Sequence, residues 1–307
     1  MALAWALRLA FSLSPRVPLS WRYRVGRLGC EAVYWCWRTK RRHTQQNMAV
    51  VVGEARARQA ARLSWRNYGN YVVDFLNLPS LQRGSVEART RVEGWENMDR
   101  ALAKGRGAIL VSLHYGVWDY AAGIAARRYP DRLSIITEPF TSPQVEALVQ
   151  GQRAREGSKI LEMTKVRQMV RLLRANEMIC ILVDRPVQDE DAVVVEFFGK
   201  PIRIPGGAAA LSLMSGAAIV PATMHHALDG DGFSATIWPA IDTTKTGDRA
   251  ADVQRITQDI FRMMETVVRR DPEHWYMFRD MWGAAASLPA ARAEKQDVSA
   301  PPVEARA

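Results

Sequence analysis

From residue 92 onward, apolar positions alternate between helical spacing and short continuous runs. WENMDRALAKG carries apolar residues three and four apart, which predicts a helix ending near Gly105. AILVSL (108–113) is an unbroken apolar run, as expected of a strand buried on both faces. The same alternation continues with a helix over 117–128, a strand over 133–137, a helix over 142–157 opened by Ser142-Pro143, and a short strand at KILEM. Next come a helix over 166–176, a strand over 178–184, VVVEFF and IRI around Gly199, and a helix over 206–216. Strands over 217–224 and 233–239 and a long amphipathic helix over 252–270 complete it. Alternation of this kind predicts an α/β fold with a mainly parallel central sheet covered by helices on both faces.

Upstream the pattern is helical. Ala60, Leu63, Trp65, Tyr68, Val72, Phe75 and Leu76 recur at spacings near three and four, which predicts a long helix or helix pair over 44–78, closed by Pro79. The opening MALAWALRLAFSLSP is interrupted by Arg8 and is too short to span a bilayer, which takes about 20 mostly apolar residues. Its charge also stands on the wrong side of the apolar stretch for a secretory signal. The chain is therefore expected to divide into a helical segment over 1–80, an α/β core over 81–285, and an Ala/Pro/charge-rich tail over 286–307 expected to be disordered.

Charge sharpens this division. The 307 residues carry a net +10, yet residues 1–70 alone carry +11 and the remaining 237 carry −1. Trp21, Tyr23, Tyr34, Trp35 and Trp37 are interleaved with these bases. Amphipathic rings beside cationic side chains suit the headgroup boundary of an anionic bilayer, so this segment is expected to dock on a membrane surface. A basic helical face in water, with its aromatics in the core, would give the same composition. No nucleic-acid motif accompanies the basicity, and no nucleic-acid partner is expected. Three cysteines without C-x-x-C spacing argue against a disulfide framework or a structural zinc site.

The strongest chemical signal is AILVSLHYGVWDY. His114 comes directly after a predicted buried strand, at the end where open α/β sheets gather ligands. On one helix, His114 and Asp119 would lie roughly 140° apart. They can meet only if the chain turns between them, and Gly116 is placed for that turn. An aspartate on the imidazole would fix its tautomer and equip it as a general base, whereas a lone strand-end histidine is more often structural. There is no G-x-S-x-G elbow, phosphate loop or dinucleotide fingerprint. His225 and His226 point to opposite faces of any regular strand and read as structural or rim residues rather than metal ligands. Cys180, inside an apolar run, reads as core rather than nucleophile.

SLHYGVWD matches the H-x-x-x-x-D/E box of glycerolipid-type acyltransferases. With RAREG (153–157), ILVDR (181–185), FFGKPIRIPGGAAALSLMSGAAIVP (197–221) and HWYMFRDMW in the same order, the chain resembles the bacterial lipid A lauroyl/myristoyl acyltransferase family and the related phosphatidylinositol mannoside acyltransferases over about residues 40–282. Asp119, where lipid A members usually carry Glu, is similar to the mannoside-type enzymes. The resemblance implies a membrane-associated O-acyltransferase that moves a fatty acyl group from acyl-CoA or acyl-carrier protein to a lipid or glycolipid hydroxyl. It implies no cofactor beyond that co-substrate, and a peripheral or monotopic place on the cytoplasmic face of the inner membrane. Carried onto this sequence, it makes His114 the base and Asp119 its orienter, with Glu196 a second orienter or an acceptor contact. It places Asp184, Arg153, Arg185 and Arg203, with Gly206 and Gly207 at a helix start, among the substrate-binding residues. A catalytically inactive peripheral lipid-binding protein of the same fold is the alternative.

Overall fold

A computed structural model describes residues 16–78, 86–140, 142–155, 157–187, 192–227 and 232–283. The opening apolar stretch, Pro79 and the tail fall outside these residues. Three helices come first: α1 (Leu19–Cys36), α2 (Arg38–Val52) and α3 (Glu54–Leu76). The expected helix pair over 44–78 is present, broken at Gly53, and its first member begins earlier, at Arg38. The alternating region then runs β1 (Thr90–Glu93), α4 (Trp95–Ala103), β2 (Ala108–Ser112), α5 (Trp118–Arg128), β3 (Leu133–Thr137) and α6 (Pro143–Arg155). It continues with β4 (Lys159–Glu162), α7 (Val166–Arg174), β5 (Met178–Leu182), β6 (Val193–Phe197), β7 (Lys200–Ile204) and α8 (Gly207–Ser215). The last elements are β8 (Ala218–His226), β9 (Phe233–Ile237) and α9 (Arg249–Arg270).

Seven strands form one sheet in the order β1-β9-β8-β2-β5-β3-β4. Every pairing is parallel except β8 with β9. The apolar runs explain why: β2 is buried at all five positions, so both its faces must be covered. Ile109 and Val111 pack with Ile179 and Ile219 on one face, in the core shared with α8 and α9. Ala108 and Leu110 pack with Met178 and Val220 on the other, under α4 and α5. The run around Gly199 forms a separate antiparallel hairpin, β6–β7, that packs on α9. The short edge strand β1, which the sequence pattern does not reveal, pairs with β9.

The N-terminal helices dock on this core. Gly26 of α1 and Gly69 of α3 sit backbone to backbone, and a Cβ on Gly69 would come within 2.3 Å of the Gly26 oxygen. Glu31 of α1 pairs with both Arg62 and Arg66 of α3, so its one negative charge is shared between two of the segment's bases. The segment after α9, residues 272–282, runs as a strap between the two parts. Asn47 of α2 donates to the carbonyls of Met277 and Arg279 and accepts from the Met281 amide. Ser64 of α3 donates to the Trp275 carbonyl at 2.8 Å. On its other side the strap bridges Tyr115, just past β2, through Trp275.

Candidate active site

The ladder between β2 and β5 positions the central pair. Ser112 lies opposite Leu182, and the chain continues two residues beyond each to His114 and Asp184. The Val183 amide donates to the Ser112 carbonyl at 2.9 Å, which carries the parallel register past the strand ends. His114 Nδ1 lies 2.7 Å from Asp184 Oδ1. Asp184 Oδ2 accepts the His114 backbone amide at 3.0 Å and the Trp275 indole N–H at 2.9 Å. A carboxylate can only accept, so Nδ1 carries the proton between them, and in the neutral ring Nε2 presents its lone pair. Asp184 is fully buried (0% exposed). Desolvation works against its charge, but the His114 ring, the indole and the backbone amide together hold its carboxyl below the usual range.

Asp119 is not on the histidine. Its carboxylate accepts from Arg153 Nε at 2.7 Å and from the Tyr71 hydroxyl at 2.7 Å. It stands at the start of α5, one residue after Trp118, and its partners come from α6 and α3. The Trp118 ring stacks on Tyr71, centroids 3.9 Å apart, and meets the His114 ring edge-on at 5.5 Å. Asp119 thus braces the wall beside His114 rather than the imidazole itself. Arg153 is mostly buried; the Asp119 carboxylate holds its guanidinium above its ordinary range despite the opposing effect of burial.

The turn between histidine and aspartate forms as the sequence suggests. Gly116 has φ +59°, and a Cβ there would lie 2.0 Å from the Met224 carbonyl oxygen. The Gly116 amide donates to the His274 carbonyl and the Val117 amide to the Met224 carbonyl, both at 2.8 Å. The Tyr276 amide donates to the His114 carbonyl, also at 2.8 Å.

The other expected site residues are dispersed. Glu196 does not reach His114. Val195 and Phe197 turn into the core, so period-2 alternation turns Glu196 outward, and its backbone pairs with the Gln258 side chain of α9. Arg185, next to Asp184, pairs with Glu138 at the exposed rim. Arg203, on β7 opposite Val194, is half-buried, and its carbonyl accepts the Val187 amide. Gly206 caps α8 with Val193 and Val253 close around it, and Gly207 opens the helix with free space at its Cα. Because α8 leads directly into β8, parallel to β2, its N-terminus lies at the same sheet edge as His114.

A small apolar cavity of about 50 Å³ lies beneath this edge. Trp118 and Ser112 stand near its histidine end, and Ala122, Ala125, Cys180 and Ile237 line it further in. Burial, helped by Asp119, pushes the Cys180 thiol up to about 12, so it stays protonated as a lining group. Trp275 and Tyr71 are the site residues that sequence reasoning does not find. Both are aromatic and fit a core reading equally well; only their partners mark them.

The sequence is similar to that of known proteins. The family model described as bacterial lipid A biosynthesis acyltransferase matches residues 1–283. Phosphatidylinositol mannoside acyltransferase from Mycolicibacterium smegmatis is 28% identical over 251 residues, covering 79% of this chain and 80% of its own. The protein of the same name from Mycobacterium tuberculosis is 28% identical over 79% of this chain and 77% of its own. Lipid A biosynthesis palmitoleoyltransferase from Escherichia coli is 22% identical over 60% of this chain and 58% of its own.

Proposed function

The chain belongs to the bacterial lipid A biosynthesis acyltransferase family and is an acyltransferase acting on a lipid or glycolipid, and from that premise we propose a His-based transfer from an acyl thioester at a membrane surface. The observation that carries the proposal is the His114–Asp184 pair, whose neighbours Ser112 and Trp118 line an apolar cavity. Nε2 removes the proton of an acceptor hydroxyl as its oxygen attacks the thioester carbonyl. The C–S bond then breaks, the thiolate takes the proton back from the imidazolium, and an ester and a free thiol remain. Asp184 holds the productive tautomer and faces the positive charge the ring acquires. No covalent enzyme intermediate is needed, in keeping with a Cys180 that stays protonated. The apolar lining beside the pair suits the hydrocarbon of the donor, acyl-CoA or acyl-carrier protein.

Membrane contact falls to α1. No helix among the described residues is long and apolar enough to cross a bilayer. Yet α1 leaves Trp21, Val25, Leu28 and Trp35 exposed by 57, 65, 63 and 55%, on one stripe at helical spacing. Arg24 lies over the Trp21 ring and Arg41 over the Trp35 ring, as suits an interfacial helix. The test is release of free thiol from long-chain acyl-CoA or acyl-carrier protein on vesicles containing a glycolipid acceptor. His114→Ala should abolish it in protein that still unfolds cooperatively, at a lower melting temperature because the buried Asp184 loses a partner; undiminished turnover would remove His114 as the base.

A further inference from the structure

We propose that the groove at the α1–α2 corner is a binding site for the phosphate of an anionic lipid headgroup, separate from the catalytic histidine. The inference rests on the membrane-surface reading of α1. The groove is lined by Arg38, Thr39, Arg42, His43 and Gln46 of α2, with Asp280 of the strap as its single acid.

The cations of this corner fall into two sets. Lys40 lies over the Trp37 ring, while Arg41 lies over Trp35 and donates to its carbonyl. Arg38 and Arg42, one helical turn apart, face the groove instead, and among the described residues neither has an ion-pair or hydrogen-bond partner. Two unpaired guanidinium groups against one carboxylate leave a net positive groove, and that carboxylate already accepts the Gly283 amide. His43 adds a buried Nδ1 with no partner among the described residues. Thr39 and Gln46 add neutral donors. Forked guanidinium groups, a hydroxyl and an imidazole make up the donor set that a phosphate diester accepts from.

The surroundings select a lipid as its source. Trp35, on the apolar stripe of α1, and Trp37, at the junction with α2, are both more than half exposed beside the groove. A phosphate bound by Arg38 and Arg42 would therefore sit level with tryptophan rings, as headgroup phosphates do at a bilayer boundary. The first turn of α2 carries no acid and no side-chain cap, so its free amides add to the same positive field.

The test uses the full chain and co-sedimentation with vesicles of phosphatidylcholine, with or without 30 mol% phosphatidylglycerol. Arg38→Gln/Arg42→Gln should weaken partitioning onto the anionic vesicles about 25-fold, since each base near such a surface contributes about fivefold. The charge-matched pair Arg56→Gln/Arg58→Gln lies past the far end of α2, about 22 Å away. It should change partitioning no more than about twofold, because separations beyond a Debye length are screened. Equal losses in the two variants would reduce the groove to diffuse charge and overturn the site while leaving the membrane reading standing. A wild type that binds neither vesicle would sink the membrane reading and the lipid site together. Glycerol phosphate is the soluble arm. Millimolar competition that displaces the protein from vesicles supports the shared phosphate chemistry; saturable binding of glycerol phosphate with unaltered vesicle partitioning in the double variant would assign the groove to a soluble phosphate and overturn the lipid assignment.

Discussion

Replacing Asp184 by Asn changes one atom type, and the hydrogen bonds around the side chain dictate the outcome. Oδ2 faces two donors that cannot reverse, the His114 backbone amide at 3.0 Å and the Trp275 indole at 2.9 Å. The carboxamide oxygen must stay there, so its NH2 takes the place of Oδ1, 2.7 Å from His114 Nδ1. Facing a donor, Nδ1 becomes an acceptor and the ring proton moves to Nε2. The lone pair needed to take a hydroxyl proton is then gone. Reversal of the tautomer in a serine-protease triad costs roughly 10⁴-fold in kcat, about 5.5 kcal/mol, and a loss of that order is expected here. Every hydrogen bond at the carboxylate keeps a partner, so stability should fall by less than about 2 kcal/mol. The assay is thiol release under saturating donor and acceptor, alongside thermal unfolding. A kcat within about tenfold of wild type, with the fold intact, would refute the assignment of Nε2 as the base.

Three further outcomes are expected. Arg153→Met leaves the buried Asp119 carboxylate without its cation and should destabilise the protein by about 3–5 kcal/mol in denaturant unfolding, whereas adding Asp119→Asn should recover part of the loss. Glu196→Gln, on the outward face of β6, should leave turnover within about twofold of wild type, and a large loss would return it to the site. Burial, with His225 and His226 nearby, pushes His274 down to about 3. The unfolded chain therefore binds a proton there that the folded chain refuses. Stability should fall by up to about 1.4 kcal/mol per pH unit below about 6.5, and Asp184, whose folded carboxyl is depressed, adds a further loss below about pH 4. Chemical denaturation between pH 7 and 4 reads this slope, and His274→Phe should flatten it.

The sheet is legible in the sequence because its central strands are unbroken apolar runs: AILVS and MICIL leave no polar face for solvent. The order of strands is not, since parallel neighbours are set by long-range packing that no local pattern records. That gap explains the main shift at the site. His114 and Asp119 stand close in sequence, but a helix start carries the aspartate toward Arg153, while β5 brings Asp184 from 70 residues away to the ring. Asp184 is legible as a strand-end acid, not as the histidine's partner. Glu196 departs from its expected place for a local reason: the alternation Val195–Glu196–Phe197 already sets it on the outer face of its strand. Tyr71 and Trp275 stay hidden because an aromatic at helical spacing, or in a Trp-rich segment, carries no mark of the polar atom it supplies.

The strap over 272–282 has a consequence in time as well as in space. It brings Trp275 to Asp184 and bridges Tyr115, and it is itself held by Asn47 and Ser64 from the first helices. The carboxylate is therefore completed by a contact that spans 91 residues, secured by others that span more than 200. A ribosome delivers α1, His114 and Asp184 well before the Trp275 indole that bonds the carboxylate. Loop closure of that length comes late in folding. A nascent chain can thus expose Trp21 and Trp35 while the His114–Asp184 pair still lacks its indole, and the pair is complete only when the strap closes.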